Sequence, residues 1–139
     1  MKIKVISFGY KYGQIPKASV VFDMRFLRNP YWQKGMRLLT GLDKKVYDYI
    51  MCSPNSNIFY NKLKATIDFF LPLAIKKENS GGDVDPFVIV AFGCTGGQHR
   101  SVAFAERLGK DLKGEGYDVE IKHRDLKKSL YREIERIRS

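Results

Sequence analysis

The apolar run Phe87-Val88-Ile89-Val90-Ala91-Phe92 passes without a break into Gly93-Cys94-Thr95-Gly96-Gly97-Gln98-His99-Arg100-Ser101. Six consecutive residues without a polar side chain suit a strand buried on both faces. From about Arg100 the pattern changes to helical spacing, with Ala105, Leu108 and Leu112 facing inward until Gly114 and Gly116 end the helix. Tyr117–Lys122 then alternates as a further strand. Strand, helix and strand in that order imply a parallel βαβ unit, hence an α/β fold. The expectation is one layered domain over residues 1–139, with a small, mostly parallel sheet flanked by helices.

The rest of the chain supplies the other elements. Lys2–Phe8 alternates Lys and apolar residues as a first strand, closed by Gly9. Val20-Val21-Phe22-Asp23 reads as a second short strand buried on both faces. Residues 25–42 look irregular, with turns at Asn29-Pro30 and Thr40-Gly41, in a loop long enough to suspect a functional role. Asp43 is placed to cap a helix running to about Met51, and a second helix starts near Asn57. Pro72 falls inside that helix and is expected to kink or end it, before a surface loop at Ser80-Gly81-Gly82-Asp83. In the last helix Leu126, Leu130, Ile134 and Ile137 form the side expected to pack. Arg124, Lys128, Arg132 and Arg136 form a ridge nearly opposite.

The loop at 93–101 carries the chemistry. It leaves the C-terminal end of a buried strand, where open α/β sheets place ligands. Gly96 and Gly97 let main-chain N–H groups approach an anion, and the helix starting at Arg100 adds free N–H donors and its positive dipole end. Arg100 offers a bidentate donor, and Thr95 and Ser101 offer hydroxyls. The functional reading is phosphate binding, with His99 as a further donor. His123 ends the last strand on the same sheet edge, and its roles as ligand contact and as simple cap are equally open.

The same residues also read as Cys-x5-Arg-Ser, which resembles the signature loop of cysteine-dependent phosphatases, where a thiolate at a helix N-terminus attacks phosphorus. Gly93 stands where those enzymes usually carry His. Asp23 and Asp125 are the candidates for a general acid, and nothing in the sequence selects between them. Asp23 and Arg25 are equally suited to a structural ion pair. Cys52 and Trp32 read as packing residues.

Net charge is +10 and unevenly spread: residues 1–45 hold ten Lys/Arg against two Asp, and residues 121–139 hold seven against three acidic residues. Residues 46–120 hold eight against ten. Clustered positive charge at both ends suits a polyanionic partner. No apolar run approaches the ~18 residues of a membrane span, so a soluble cytoplasmic protein without membrane contact is expected. Two cysteines make no disulfide framework, and their spacing with His99 and His123 makes no zinc site, so neither metal nor cofactor is expected.

Five segments carry a family resemblance: Phe8–Gly13, Val21–Trp32, Thr40-Gly41-Leu42-Asp43, Gly93–Ser101 and His123-Arg124-Asp125-Leu126. In this order they resemble the C-terminal domain of the RNase adapter protein RapZ family. Members typically carry an N-terminal P-loop domain before this one. This chain has no Gly-x4-Gly-Lys-Ser/Thr, so nucleotide binding is not carried over. The resemblance implies a non-enzymatic module that binds a small regulatory RNA for an endoribonuclease and senses glucosamine-6-phosphate. It implies a phosphorylated amino sugar, or a similar small anion, held by Tyr31, Cys94, Thr95, Gly96, Gly97, Gln98, His99, Arg100 and Ser101. It also implies RNA contacts from Lys122, Arg124, Lys127 and Lys128, and the apolar face of the last helix adds the expectation of a homo-oligomer. At this level a metabolite-sensing RNA adapter and a phosphatase built on Cys94 and Arg100 both stand. So does an interaction domain that oligomerises through its last helix.

Overall fold

A computed structural model describes residues 2–79 and 87–139. Four strands form one parallel sheet: β1 (Lys2–Gly9), β2 (Val20–Asp23), β3 (Phe87–Cys94) and β4 (Asp118–His123), in the order β2-β3-β1-β4. Four helices accompany them: α1 (Lys44–Met51), α2 (Pro54–Asn79), α3 (Arg100–Gly114) and α4 (Leu126–Arg138). The α/β architecture expected from the strand–helix–strand pattern is the one observed. The β1–β3 register runs from Lys2 opposite Phe87 to Gly9 opposite Cys94, so both central strands end at the same level. That shared end is where the glycine-rich loop begins.

The core lies between one sheet face and the first three helices. Ile3, Val5, Val88, Val90 and Phe92 meet Ile50, Leu63, Ile67, Phe104, Leu108 and Leu112, all buried. Phe92 stacks on Phe22 at 5.5 Å and sits 6.1 Å from Phe104. Residues at period two on the strands thus meet residues at period 3.6 on the helices, and burial of these side chains supplies most of the driving force.

Several sequence expectations are corrected. β2 is an edge strand paired only with β3, and its residues alternate between half-buried and exposed. Its apolar run resembles a buried strand because Phe22 needs burial, but the first crossover carries it beyond β3, where one side stays open. α2 begins at Pro54, which suits the first helical turn, and runs through Pro72 to Asn79. Pro72 is exposed, so the backbone carbonyl it leaves unpaired can be hydrated. Cys52 is exposed, 3.0 Å from an Arg28 guanidinium nitrogen. Trp32 is 72% exposed instead of packed. In α4, Leu126, Leu130 and Ile134 are only half-buried and Ile137 is exposed, while Ser129 and Glu133 are buried. The surface loop expected at Ser80–Asp83 lies outside the described residues.

Among the described residues no helix is long and apolar enough to cross a membrane.

Candidate functional site

Residues 95–99 leave β3 in a succession of bends without forming regular structure. Among the described residues the main-chain N–H groups of Gly96, Gly97, Gln98 and His99 find no acceptor. Above the loop lies a cavity of about 300 Å³. Its floor is Cys94, Thr95, Gly96, Gln98, His99 and Arg100; its walls are Lys11, Asn29, Tyr31 and Trp32 on one side and Ser129, Glu133 and Arg136 on the other. Of the residues singled out in sequence, Gly97, Ser101 and His123 do not line it.

Three successive side chains, Gln98, His99 and Arg100, hold the irregular 25–42 segment over this cavity. Gln98 Nε2 donates to the carbonyls of Arg37 (2.6 Å) and Leu39 (2.9 Å), and its Oε1 accepts from Ser129 Oγ at 2.7 Å. His99 Nε2 lies 3.0 Å from the Met36 carbonyl, which can only accept, so this nitrogen carries the proton. Arg100 Nη1 donates to the carbonyls of Arg25 (2.8 Å) and Leu27 (2.9 Å). The long loop has almost no regular structure of its own, and these bonds satisfy carbonyls that would otherwise be stranded.

Arg100 has a second consequence. The residue is only 5% exposed, and its Nε has no hydrogen-bond partner. A buried guanidinium N–H left unpaired costs about 1–3 kcal/mol. The floor therefore combines the positive charge of a buried guanidinium with loop amides that lack an acceptor, an arrangement complementary to an oxyanion. Glu133 is the exception in an otherwise basic lining. It is 8% exposed, and its nearest cation is Arg136, 3.9 Å away. Sequence inspection passed over Ser129 and Glu133 because they flank the apolar stripe of α4. Their spacing with Asp125, four residues apart, was the available signal.

The remaining candidates are engaged elsewhere. His123 sits between Ser7 Oγ (2.6 Å from Nδ1) and Glu106 (2.9 Å from Nε2), beneath the sheet edge. Arg124 donates to Asp125 and to the Gln14 carbonyl, and Lys128 lies 3.2 Å from the same carboxylate. Lys122 and Lys127 are exposed and form no ion pair among the described residues. Asp23 is bound bidentately by Arg25, at 2.9 and 2.6 Å, which holds its carboxyl below the usual range. Burial pushes the Asp125 carboxyl upward, but Arg124, the Gly9 N–H (2.8 Å) and Lys128 outweigh it and hold it low. Two ion-paired carboxylates kept charged in this way are poor proton donors. Gly93, at the position where cysteine phosphatases carry His, has no room for a side chain: a Cβ there would meet the Phe8 ring at 2.4 Å.

Residues 1–127 match the RapZ C-terminal domain family. The chain belongs to that family. Among curated relatives, a nucleotide-binding protein of Lacticaseibacillus casei (strain BL23) is 48% identical over 126 residues, 91% of this chain and 40% of that protein. Proteins of the same name from Clostridium botulinum (strain Loch Maree / Type A3) and Moorella thermoacetica are 42% and 43% identical, over 94% and 92% of the chain. The chain thus spans about two fifths of the length of these relatives. The family assignment read from five sequence segments agrees with this match.

Burial, with Arg100 adding like charge, pushes the His99 imidazole below its ordinary pKa against the opposing pull of the Met36 and Leu39 carbonyls. A base whose folded pKa is depressed binds fewer protons in the fold than in the unfolded chain. Stability is therefore full above about pH 6.5 and falls as pH drops from there through the folded-state value. Urea midpoints measured from about pH 8 to about pH 5 should decline in the wild type and decline less in His99→Gln. Asp125, with a depressed carboxylate pKa, contributes a separate loss only below about pH 3.9.

Proposed function

We propose that this module binds a phosphorylated amino sugar in the cavity above 93–101 and presents a basic surface to RNA. The observation that carries the first part is a cavity of about 300 Å³ whose floor joins the buried Arg100 to a glycine-rich loop with acceptor-less amides. That volume is at the lower end of small-molecule sites and suits a monosaccharide phosphate. The phosphate would take the amides of Gly96, Gln98 and His99 and be attracted by the Arg100 charge beneath them. Glu133, across the cavity, would accept from an ammonium group, and Tyr31, Lys11 and Arg136 would close around the sugar.

Calorimetry tests this. Glucosamine-6-phosphate is expected to bind about tenfold or more tighter than glucose-6-phosphate, and Glu133→Gln to erase most of that preference, because a charge-assisted hydrogen bond is worth about 1.5–3 kcal/mol. Equal affinity for both sugars would remove Glu133 from the site.

The RNA reading is supported by the +10 net charge and by exposed Lys122 and Lys127 near the base of α4. Arg124 and Lys128, which share Asp125, would contribute less. Affinity for a single-stranded RNA should fall with salt, with a log–log slope of about −0.7 per phosphate contacted, and the double change Lys122→Gln, Lys127→Gln should flatten it. Binding without a salt slope contradicts this reading. Delivery to an endoribonuclease and self-association belong to the same proposal, as functions of a larger assembly.

A further inference from the structure

We propose that Trp32 and the groove beside it form a stacking subsite for one unpaired base of single-stranded RNA. The proposal rests on the RNA reading above and names where, at the far end of α4, a base is held.

Trp32 is the only tryptophan of the chain and is 72% exposed. It closes a single turn of 3-10 helix, Pro30–Trp32, in which Pro30 is buried and the Asn29 side chain accepts from the Tyr31 N–H at 3.1 Å. Tyr31 meets the indole edge-on, with ring centroids 5.0 Å apart. The Arg37 guanidinium lies 4.7 Å from the Tyr31 ring centre and 5.8 Å from that of Trp32. Its Nε donates to the Tyr31 carbonyl at 3.0 Å. Gln98, bonded to the Arg37 and Leu39 carbonyls, ties the stretch to the loop after β3. The indole is thus braced by its neighbours while most of its surface meets solvent. A flat ring already held in place loses little conformational freedom when another ring is laid on it.

An apolar side chain exposed singly would need no explanation. Trp32 is not single: with Leu38, Leu39 and Ile137 it lines a groove of about 560 Å³, and Leu38 and Ile137 are exposed as well. The polar part of the lining includes Lys34 and Arg37, and no Asp or Glu among the described residues contributes to it. Both cations are exposed and form no ion pair among the described residues. An apolar groove with an unopposed positive rim fits a ligand that joins a flat apolar plate to an anion. Every unpaired nucleotide has both parts, whereas a peptide must combine an aromatic side chain with acidic neighbours to match them. In a duplex the faces of a base are covered by stacking, so the strand must be single.

The last helix connects this groove to the lysines assigned above. Ile137 lies about 15 Å along α4 from Lys127, at about 1.5 Å per residue. Lys128, Arg132 and Arg136, all exposed, follow one another between them at i+4 spacing. Arg136 also donates to the Tyr31 hydroxyl, which ties the end of α4 to the aromatic turn. A strand whose phosphates follow this ridge delivers a base to Trp32 at its end.

Because the chain holds one tryptophan, its emission reports this site alone. Wild type is titrated at low salt with single-stranded oligouridylate and with an abasic oligomer of the same length, which keeps the phosphates and lacks the bases. Oligouridylate should quench the emission, and the abasic oligomer should bind without quenching. In anisotropy titrations with labelled oligomers, Trp32→Ala should bind oligouridylate about 5- to 150-fold more weakly, the loss of one base–aromatic stack, and Trp32→Phe should recover part of it. Both variants should bind the abasic oligomer like wild type. If oligouridylate binds with a salt slope but leaves the emission unchanged, or if Trp32→Ala binds it as tightly as wild type, the stacking subsite is overturned. The RNA reading then stands, and the groove is open to a protein partner instead. Equal quenching by the two oligomers also overturns the subsite, because phosphates alone would then account for it. If neither oligomer binds, both readings are overturned. The quenching is read on wild type, so it decides the matter even if a variant does not fold.

Discussion

Gly97→Ala is expected to destabilise the protein by about 2–5 kcal/mol and to abolish stabilisation by phosphate, the sum of a left-handed backbone cost and a steric one. The backbone at Gly97 has φ +69°, where an L side chain is strained. A Cβ there would also lie 2.6 Å from the Gly9 nitrogen and 2.8 Å from the Phe8 carbonyl carbon. Both are main-chain atoms at the end of β1, itself paired with β3 and β4, so neither can step aside without opening the sheet. The approach is reciprocal, because a Cβ on Gly9 would lie 2.5 Å from Gly96 C. Relief requires lifting the loop away from β1, which rearranges its acceptor-less amides. Urea denaturation with and without phosphate measures both effects. Wild-type stability in the variant would mean that the loop's closeness to β1 is not what shapes the site.

Arg100→Ala is expected to weaken phosphate binding about 10- to 150-fold, corresponding to the 1.5–3 kcal/mol of a hydrogen bond to a charged partner. It also removes the donor to the Arg25 and Leu27 carbonyls, each 1–3 kcal/mol costlier if left buried and dry, at roughly the scale known for such groups. Loss of affinity and loss of loop anchoring therefore come together, and Arg100→Lys separates them. Lysine keeps the charge as a point ammonium but lacks the planar fork that places it between the two carbonyls and beneath the loop. Arg100→Lys should recover part of the stability and little of the affinity. Calorimetry with inorganic phosphate, paired with urea midpoints, reads the two quantities independently. An Arg100→Ala protein that binds phosphate like wild type would remove the guanidinium from the site.

These two residues also explain why the site is built on a loop and yet can be rigid. Gln98, His99 and Arg100 face the 25–42 segment, while the main-chain N–H groups of the same stretch stay unpaired. Side chains do the structural work, which leaves the backbone donors available. The roles expected for Gln98 and His99 as direct phosphate donors give way to positioning ones, since their ring and amide nitrogens are already spent on carbonyls of the long loop.

Local pattern was enough to read the parallel α/β class, the boundaries of α1 and α3, and the position of the glycine-rich turn. Periodicity and glycine placement act within a few residues, and the backbone answers them directly. The same reasoning located the glycine-rich loop and the arginine that follows it, because an apolar strand followed by glycines, Arg and Ser concentrates those residues in nine positions. What lies opposite that loop was not legible. Ser129 and Glu133 reach the cavity only because α4 crosses over the end of the sheet, and Trp32 is exposed only because 25–42 is pinned by three side chains some sixty residues later in the chain. β2 ended at an edge for a similar reason, since strand order depends on pairings between distant segments. Spacing along a chain specifies which face of an element is apolar. Which neighbour covers that face is settled by packing the elements against one another, and there a polar residue beside an apolar stripe, as in α4, can become the buried one.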